Sequence, residues 1–326
     1  MLKTITIVSV LATAALAQSS SASASSSSAS PSSTANPLIP SGISQTCSSF
    51  LSSLNSDSSL TSCLSSLSSA TSAFAPGSST SPSSAAVTTA LGNLCTDSIS
   101  SACSESLVRS KIAAFYTACT SELTTSRSED VVKIYDVLYT ILPLRTSVCS
   151  KDDSGSWCVM ADTTSTREDS EDSGETSTLS LAKLMAMLYT KNSALQRRAP
   201  VSAIVPNITT YHDTNLPFIF FKPSLDATRL CTTCSRNVLT AYINFESNTP
   251  YAPGLSQSLL LSTQSDLYSA IQQKCPANFL SGAVQAAGGL SGGTFSSGAV
   301  STVGAASSGL FAIAMGVATL GFSVAF

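Results

Sequence analysis

The chain offers one histidine and one tryptophan, and charged residues make up only 11% of it. Each shortage removes a class of chemistry. With His212 alone there is no second imidazole for a histidine-based zinc site, and no H-E-x-x-H pair occurs. A Ser-His-Asp triad would have to use His212, whose acidic neighbour Asp213 is adjacent in sequence and poorly placed to orient it, so His212 reads as a loop residue. No G-x-S-x-G elbow and no phosphate-binding G-x-x-x-x-G-K-[ST] loop is present. The formal net charge is −3, with no basic patch of the kind nucleic acid requires. Aromatic residues are 6% of the chain, thin for a sugar-binding cleft. Alternating apolar and polar runs of strand length are almost missing, and residues 218–221 are the one short strand candidate.

Charge is also scarce at both ends, with Lys3 alone before Asp57. Nothing charged follows Lys274, and the last seventeen residues, LFAIAMGVATLGFSVAF, are uncharged and mostly apolar. The pattern upstream fits a glycosylphosphatidylinositol (GPI) signal: small residues, a polar spacer, then an apolar tail. It places the ω-site at Ser297, with Ser296, Gly298 and Gly293 as rivals. A spanning helix normally carries Lys or Arg on its cytoplasmic flank, and this run has none. At the other end Lys3, the apolar run from Ile5 to Leu16 and the Ala15-Leu16-Ala17 triplet read as a secretory signal peptide cut after Ala17. The run is too short to span a bilayer, which takes about 20 apolar residues.

What the chain does have is serine and cysteine. Ten cysteines, Cys47, Cys63, Cys95, Cys103, Cys119, Cys149, Cys158, Cys231, Cys234 and Cys275, are an even set. In an oxidising compartment they predict five disulfides of open connectivity. Seven precede Arg198 and three follow it, so complete pairing must send at least one disulfide across that point. This matters because Arg197-Arg198 is a dibasic pair of the sort secretory processing proteases cut, here after Arg198. Cys231-Thr232-Thr233-Cys234 has redox-motif spacing, yet its helical flanks favour structural use. Cys149 and Cys158 bracket a polar loop with a turn signal at Asp153-Ser154-Gly155. They can pair with each other or each reach a helix, and Trp157 reads as a cover for the disulfide. Asn207-Ile208-Thr209 is the one N-glycosylation sequon.

The organisation follows. Residues 1–17 are the signal, and 18–40 a disordered, Ser-rich O-glycosylation candidate. Residues 41–160 are a cysteine-rich helical region, and 161–200 an acidic linker carrying a helix and the dibasic site. Residues 201–289 are a second cysteine-rich helical region forming one domain with 41–160. Residues 290–308 are a Gly/Ser stalk, and 309–326 the removed tail. Apolar spacings of three and four predict helices around Ile43–Leu54, Leu60–Leu67, Leu107–Leu123, Val131–Leu142, Leu179–Tyr189, Cys231–Phe245 and Ser256–Gln273. Ser104 and Ser128 serve as N-caps, and Pro143 is the terminator of the fourth helix. The expected fold is all-α, a disulfide-stapled helical domain between a disordered Ser-rich segment and a Gly/Ser-rich stalk. An internal echo reads LC…C…Y…D…Y…I…C, from Leu94 to Cys149 and again from Leu230 to Cys275, with unequal spacings; it reads either as two related helical halves or as chance similarity between amphipathic helices.

A glycosidase needs only two carboxylates, and the ordered segments offer Glu105, Glu122, Glu129, Asp130, Asp136, Asp226, Glu246 and Asp266. Most fall at helix starts or on polar faces. The acidic run from Glu168 to Glu175 lacks calcium-loop spacing and reads as a solvated linker.

The segments CSKDDSGSWC, LCTTCSRNVLTAYINFES and PYAPGLSQSLLLSTQSDLYSAIQQKC, with the Ser-rich start and the GPI tail, resemble a family of fungal secreted proteins. Its members carry a cysteine-rich domain with no assigned activity and a GPI anchor. The resemblance spans roughly residues 47–289 without the acidic insert, and is most specific over 230–275. It implies a plasma-membrane or cell-wall location and transfers no catalytic residue. The fungal eight-cysteine haem-binding domains match poorly, lacking this spacing, and hydrophobins are excluded because no Cys-Cys doublet occurs. The expected function is a non-enzymatic, structural or adhesive surface protein with no cofactor, partnered by membrane through its lipid and by wall glucan. The alternatives are a binding module for haem or a small apolar ligand, and a wall-remodelling glycosidase.

Overall fold

In a computed structural model, residues 39–74, 83–160, 189–191 and 204–280 are described, all within the unit Ala35–Phe326. Short, well-capped helices open the body. Helix α1 (Gln45–Asn55) begins where Ser44 Oγ accepts from the Cys47 amide at 3.3 Å, and it buries Cys47, Leu51 and Leu54. Asp57 caps α2 (Ser58–Ala70), accepting from Leu60 N, and also pairs with Lys111. That ion pair and the amide hydrogen bonds hold the Asp57 carboxyl below its ordinary value. Helices α3 (Ser84–Leu94), α4 (Asp97–Ala102), α5 (Glu105–Ala118) and α6 (Thr120–Leu123) follow. Ser104 caps α5 as the sequence predicts, accepting from Leu107 N. The longer of these helices turn an apolar stripe inward and small or polar residues outward, serine-rich in α1 and α2, the arrangement that 3.6-residue periodicity imposes.

The axis of the molecule is α7 (Glu129–Val148), which packs most extensively against α5 and α10. It departs from expectation twice. Pro143 lies inside it and does not end it. Proline in a helix interior costs about 3 kcal/mol, and the apolar residues buried around it, from Val131 to Val148, outweigh that. Ser128 occupies the cap position without a side-chain cap bond, while Glu129 and Asp130 sit in the first turn, where the helix dipole favours them.

Beyond a 3₁₀ turn at Cys158–Met160, a two-stranded antiparallel ribbon pairs β1 (Tyr189–Lys191) with β2 (Ile204–Pro206), Tyr189 opposite Pro206. Of the helix expected over Leu179–Tyr189, Tyr189 is in β1 and the rest lies outside the described residues. The body resumes with α8 (Ile208–Thr214), capped by Asn207 Oδ1 on Thr210 N, then α9 (Ala227–Leu230), α10 (Thr233–Asn248) and α11 (Gln264–Lys274).

Two expected elements are replaced. Residues 218–221 form no strand. A 3₁₀ turn at Leu216–Phe218 is followed by Ile219 and Phe220 at φ of 51° and 64°. Left-handed backbone is unfavourable for a β-branched residue. It is held by Asn215, whose side-chain amide donates to the Phe221 carbonyl and whose Oδ1 accepts from Thr263 at 2.5 Å. The helix expected from Ser256 starts only at Gln264. Leu259 and Leu260 donate their amides to Asp136, and Leu260 and Leu261 to Ser258 Oγ, so the intervening backbone is bound elsewhere. The helix expected over Leu107–Leu123 is broken at Cys119, which ends α5 and precedes α6; helical folding and disulfide stapling otherwise match the expectation.

All ten cysteines are paired: Cys47–Cys119, Cys63–Cys103, Cys95–Cys149, Cys158–Cys234 and Cys231–Cys275, with no free thiol. Cys149 and Cys158 therefore each reach a helix and do not close their own loop. The pairing follows the internal echo. The first and last cysteines of each copy join, and the interior ones, Cys103 and Cys119 in the first and Cys234 in the second, reach back to preceding cysteines. The acids do not follow it, since Asp136 is buried and Asp266 exposed. Only Cys158–Cys234 crosses Arg198, which lies outside the described residues. A chain cut after Arg198 is expected to run as one species without reductant and two with it. Two species on the non-reducing gel would refute this pairing.

Candidate functional site

The chemistry-bearing side chains scatter over the body, with one concentration. His212 is on α8, exposed, its Nδ1 3.1 Å from Asp213 Oδ1. It is a helical residue, contrary to the loop expected. Cys231 and Cys234 are bonded to different partners, so the C-x-x-C spacing forms no dithiol. Cys47, Cys119 and Glu122 place their ligand atoms within 4.8 Å of one another. The two sulfurs are joined to each other, so no thiolate is available to a metal. Glu122 is buried, and its Oε1 accepts from Ser44 N at 2.7 Å. Burial raises its carboxyl, but the Ser44 donors win and hold it below the ordinary value. Trp157 is half-buried, with Lys151 Nζ 4.2 Å from its ring centroid and Lys151 paired to it across an antiparallel bridge. The Lys151 ammonium, as a cation over an indole, occupies that ring face.

The remaining carboxylate candidates divide cleanly. Glu105 pairs with Arg109, and Asp130 with Lys133 at 3.1 Å. Glu129 is in the first turn of α7, Asp266 in the first turn of α11, and Asp226 caps α9. These serve helix starts. Asp136 and Glu246 differ, being 0% and 5% exposed on the facing helices α7 and α10.

Around them lies an aromatic cluster. Phe115 meets Tyr135 edge-on at 5.3 Å, and Tyr251 meets Tyr135 at 5.3 Å and Tyr139 at 5.0 Å, also edge-on. Tyr139 meets Phe245 edge-on at 5.1 Å. Such pairs each add about 0.5–1.5 kcal/mol beyond their burial. Asp136 Oδ1 accepts from the Tyr251 hydroxyl, and Oδ2 from Leu259 N at 2.7 Å and Leu260 N at 3.1 Å. Complete burial pushes its carboxyl up to about 6, with those donors opposing the shift. Glu246 has one donor, Gln264 Nε2 at 2.9 Å, and burial pushes it up to about 8. Burial likewise raises the hydroxyls of Tyr139, Tyr242 and Tyr251 far above the usual phenol range.

Two acids with raised affinity for protons resemble the equipment of acid–base catalysis. Here Asp136 is wholly enclosed, with its donors coming from the segment between α10 and α11, and it binds that segment to α7. The sequence did carry a signal for both acids. Asp136 sits four residues after Val132 and three before Tyr139, and Glu246 four after Tyr242, so each occupies an apolar stripe. An acid on such a stripe is either exposed by a shift of the helix or buried with partners, and only the fold decides which.

No known family, characterised protein or solved structure matches this chain, so no relative's activity carries over to it.

Proposed function

We propose that this is a non-enzymatic protein of the cell surface or cell wall, with structural or adhesive work. It is exported by the signal at residues 1–17 and held by a GPI lipid added at Ser297. One observation carries the reading: ten cysteines form five disulfides and leave no thiol. Such a framework persists in an oxidising, extracellular setting. Two further features support it. No helix among the described residues is long and apolar enough to cross a membrane, so the body itself supplies no span. Helices α1 and α2 face outward with serine and threonine and no charged residue, in keeping with a chain kept soluble by hydroxyls. The fungal family resemblance belongs to the same reading.

Phosphatidylinositol-specific phospholipase treatment of membranes from expressing cells is the test. Release of the intact, disulfide-bonded chain is the expected outcome, and replacing Ser296, Ser297 and Gly298 together with bulky residues prevents anchoring. A chain that stays on the membrane while a control GPI protein is fully released refutes the anchor.

A further inference from the structure

Two buried acceptors face a shortage of donors at the junction of α10 and α11. Gln264 Nε2 donates to Glu246 Oε2 at 2.9 Å, joining the two side chains. Among the described residues, Glu246 Oε1 and Gln264 Oε1 have no hydrogen-bond partner. Both residues are buried, Gln264 completely. An amide oxygen cannot donate, so one proton on Glu246 is the addition internal to this pair that satisfies both oxygens at once. A carboxylic acid and a primary amide each present one donor and one acceptor side by side. Together they make two antiparallel hydrogen bonds.

Among the described residues no cation pairs with Glu246. From α7 the facing group is Tyr139, whose hydroxyl donates to the Thr249 carbonyl at 2.5 Å. The acid nearest it in sequence on that helix is Asp136, already holding Tyr251. The cations of α7 are engaged elsewhere, Lys133 with Asp130 and Arg145 with the carbonyls of Leu94 and Thr96. On α10 itself Tyr242 donates to the Pro217 carbonyl at 2.6 Å, and Arg236 lies over Phe279. The 3₁₀ turn at Leu216–Phe218 has no charged residue. On α11, Asp266 and Lys274 are exposed. An ionised Glu246 would be a buried anion with one neutral donor, an arrangement proteins avoid.

We propose that Glu246 is a neutral carboxylic acid closing a two-bond ring with the Gln264 amide, a proton-held latch between α10 and α11 that loosens in alkali. Gln264 is the first residue of α11, the helix that ends at the Cys231–Cys275 disulfide. Loss of the proton breaks the ring at that first turn. The direction of its raised affinity agrees: the folded value, about 8, exceeds the ordinary 4.5. The latch's contribution is thus complete below the ordinary value and is lost as pH rises through the folded one.

Infrared spectroscopy of the full chain with ¹³C-labelled glutamate side chains tests this directly. At pH 7 the expected spectrum holds one protonated glutamate carboxyl, fading as pH passes through about 8 and absent from E246Q. That variant keeps the ring as an amide–amide pair and cannot titrate. The unfolding equilibrium constant of the wild type is expected to rise by up to tenfold per pH unit from 7 to 8 relative to E246Q, then level off. Only ionised glutamate at pH 7, or a band that survives E246Q, overturns the proposal. So does an identical pH response of the two proteins, and the wild-type spectrum decides even if E246Q fails to fold.

Discussion

Reduction of all five disulfides in native buffer, without denaturant, unfolds the helical body. The cross-links close intervals of 72, 40, 54, 76 and 44 residues. Closing a loop of that length removes unfolded-state entropy equivalent to about 4 kcal/mol each. The intervals overlap, so the sum is smaller than five separate terms. Even half of it equals the whole stability of an ordinary domain, about 5–15 kcal/mol. The helices cannot compensate on their own. Most are shorter than the roughly 12–15 residues an isolated helix needs in water, and α1 and α2 are rich in serine, a weak helix former. Far-ultraviolet circular dichroism before and after reduction, with thiols blocked to prevent re-oxidation, reads the effect. A reduced protein that still melts cooperatively at the oxidised midpoint would show that packing alone suffices. The single pair with the largest expected effect is C158A/C234A, at about 4 kcal/mol. It is the only disulfide joining the helices before residue 161 to those after residue 206.

The second large effect is at Asp136. The variant D136A is expected to lose about 3–5 kcal/mol of unfolding free energy. Alanine strands the Tyr251 hydroxyl and the Leu259 amide in the interior and leaves Leu260 N only the weaker bond to Ser258 Oγ, 3.2 Å away. D136N is milder, since its oxygen still serves the two backbone amides while its nitrogen faces the tyrosine oxygen. The two variants also differ in pH dependence. The folded Asp136 carboxyl is raised from 3.8 to about 6. Its contribution is therefore fully present below the lower value and lost as pH rises through the higher. The deficit of D136N against the wild type should accordingly shrink between pH 4 and 7, following those two values. Urea denaturation at three pH values resolves both points. A D136A protein within 1 kcal/mol of the wild type, below the range expected for stranded buried donors, means water or a backbone shift has replaced the carboxylate. A deficit that grows with pH means the buried acid is stabilised as an anion.

Much of the architecture was legible before folding. The spacing of Leu60, Cys63, Leu64 and Leu67 places one face of α2, and these four residues are its buried side. Ser104 announces α5, because a hydroxyl before an apolar run satisfies amides that the first turn leaves open. Such signals are local, carried by residues within one or two turns of each other. Pro143 shows where local reading fails. Its cost to a helix is an intrinsic preference, and burial around α7 overrides it. Residues 258–263 show the converse, a helical pattern kept from helix by a carboxylate more than a hundred positions away.

The candidate site divides along the same line. That Asp136 and Glu246 interrupt apolar stripes is a property of periodicity. That one gathers three donors and the other a single amide depends on which distant segment the fold lays over each.

By itself, then, the sequence determined the helical class, the Ser104 cap, the apolar stripes and the even cysteine set, because these rest on chemistry between near neighbours. Which cysteine meets which, and that Cys158–Cys234 alone spans the central segment, was decided by tertiary structure. So were the left-handed turn at Ile219 and Phe220 and the donors of the two buried acids. These depend on positions that meet only once the chain has closed loops tens of residues long. Packing of the whole body, with no preference of any short stretch, selects those closures.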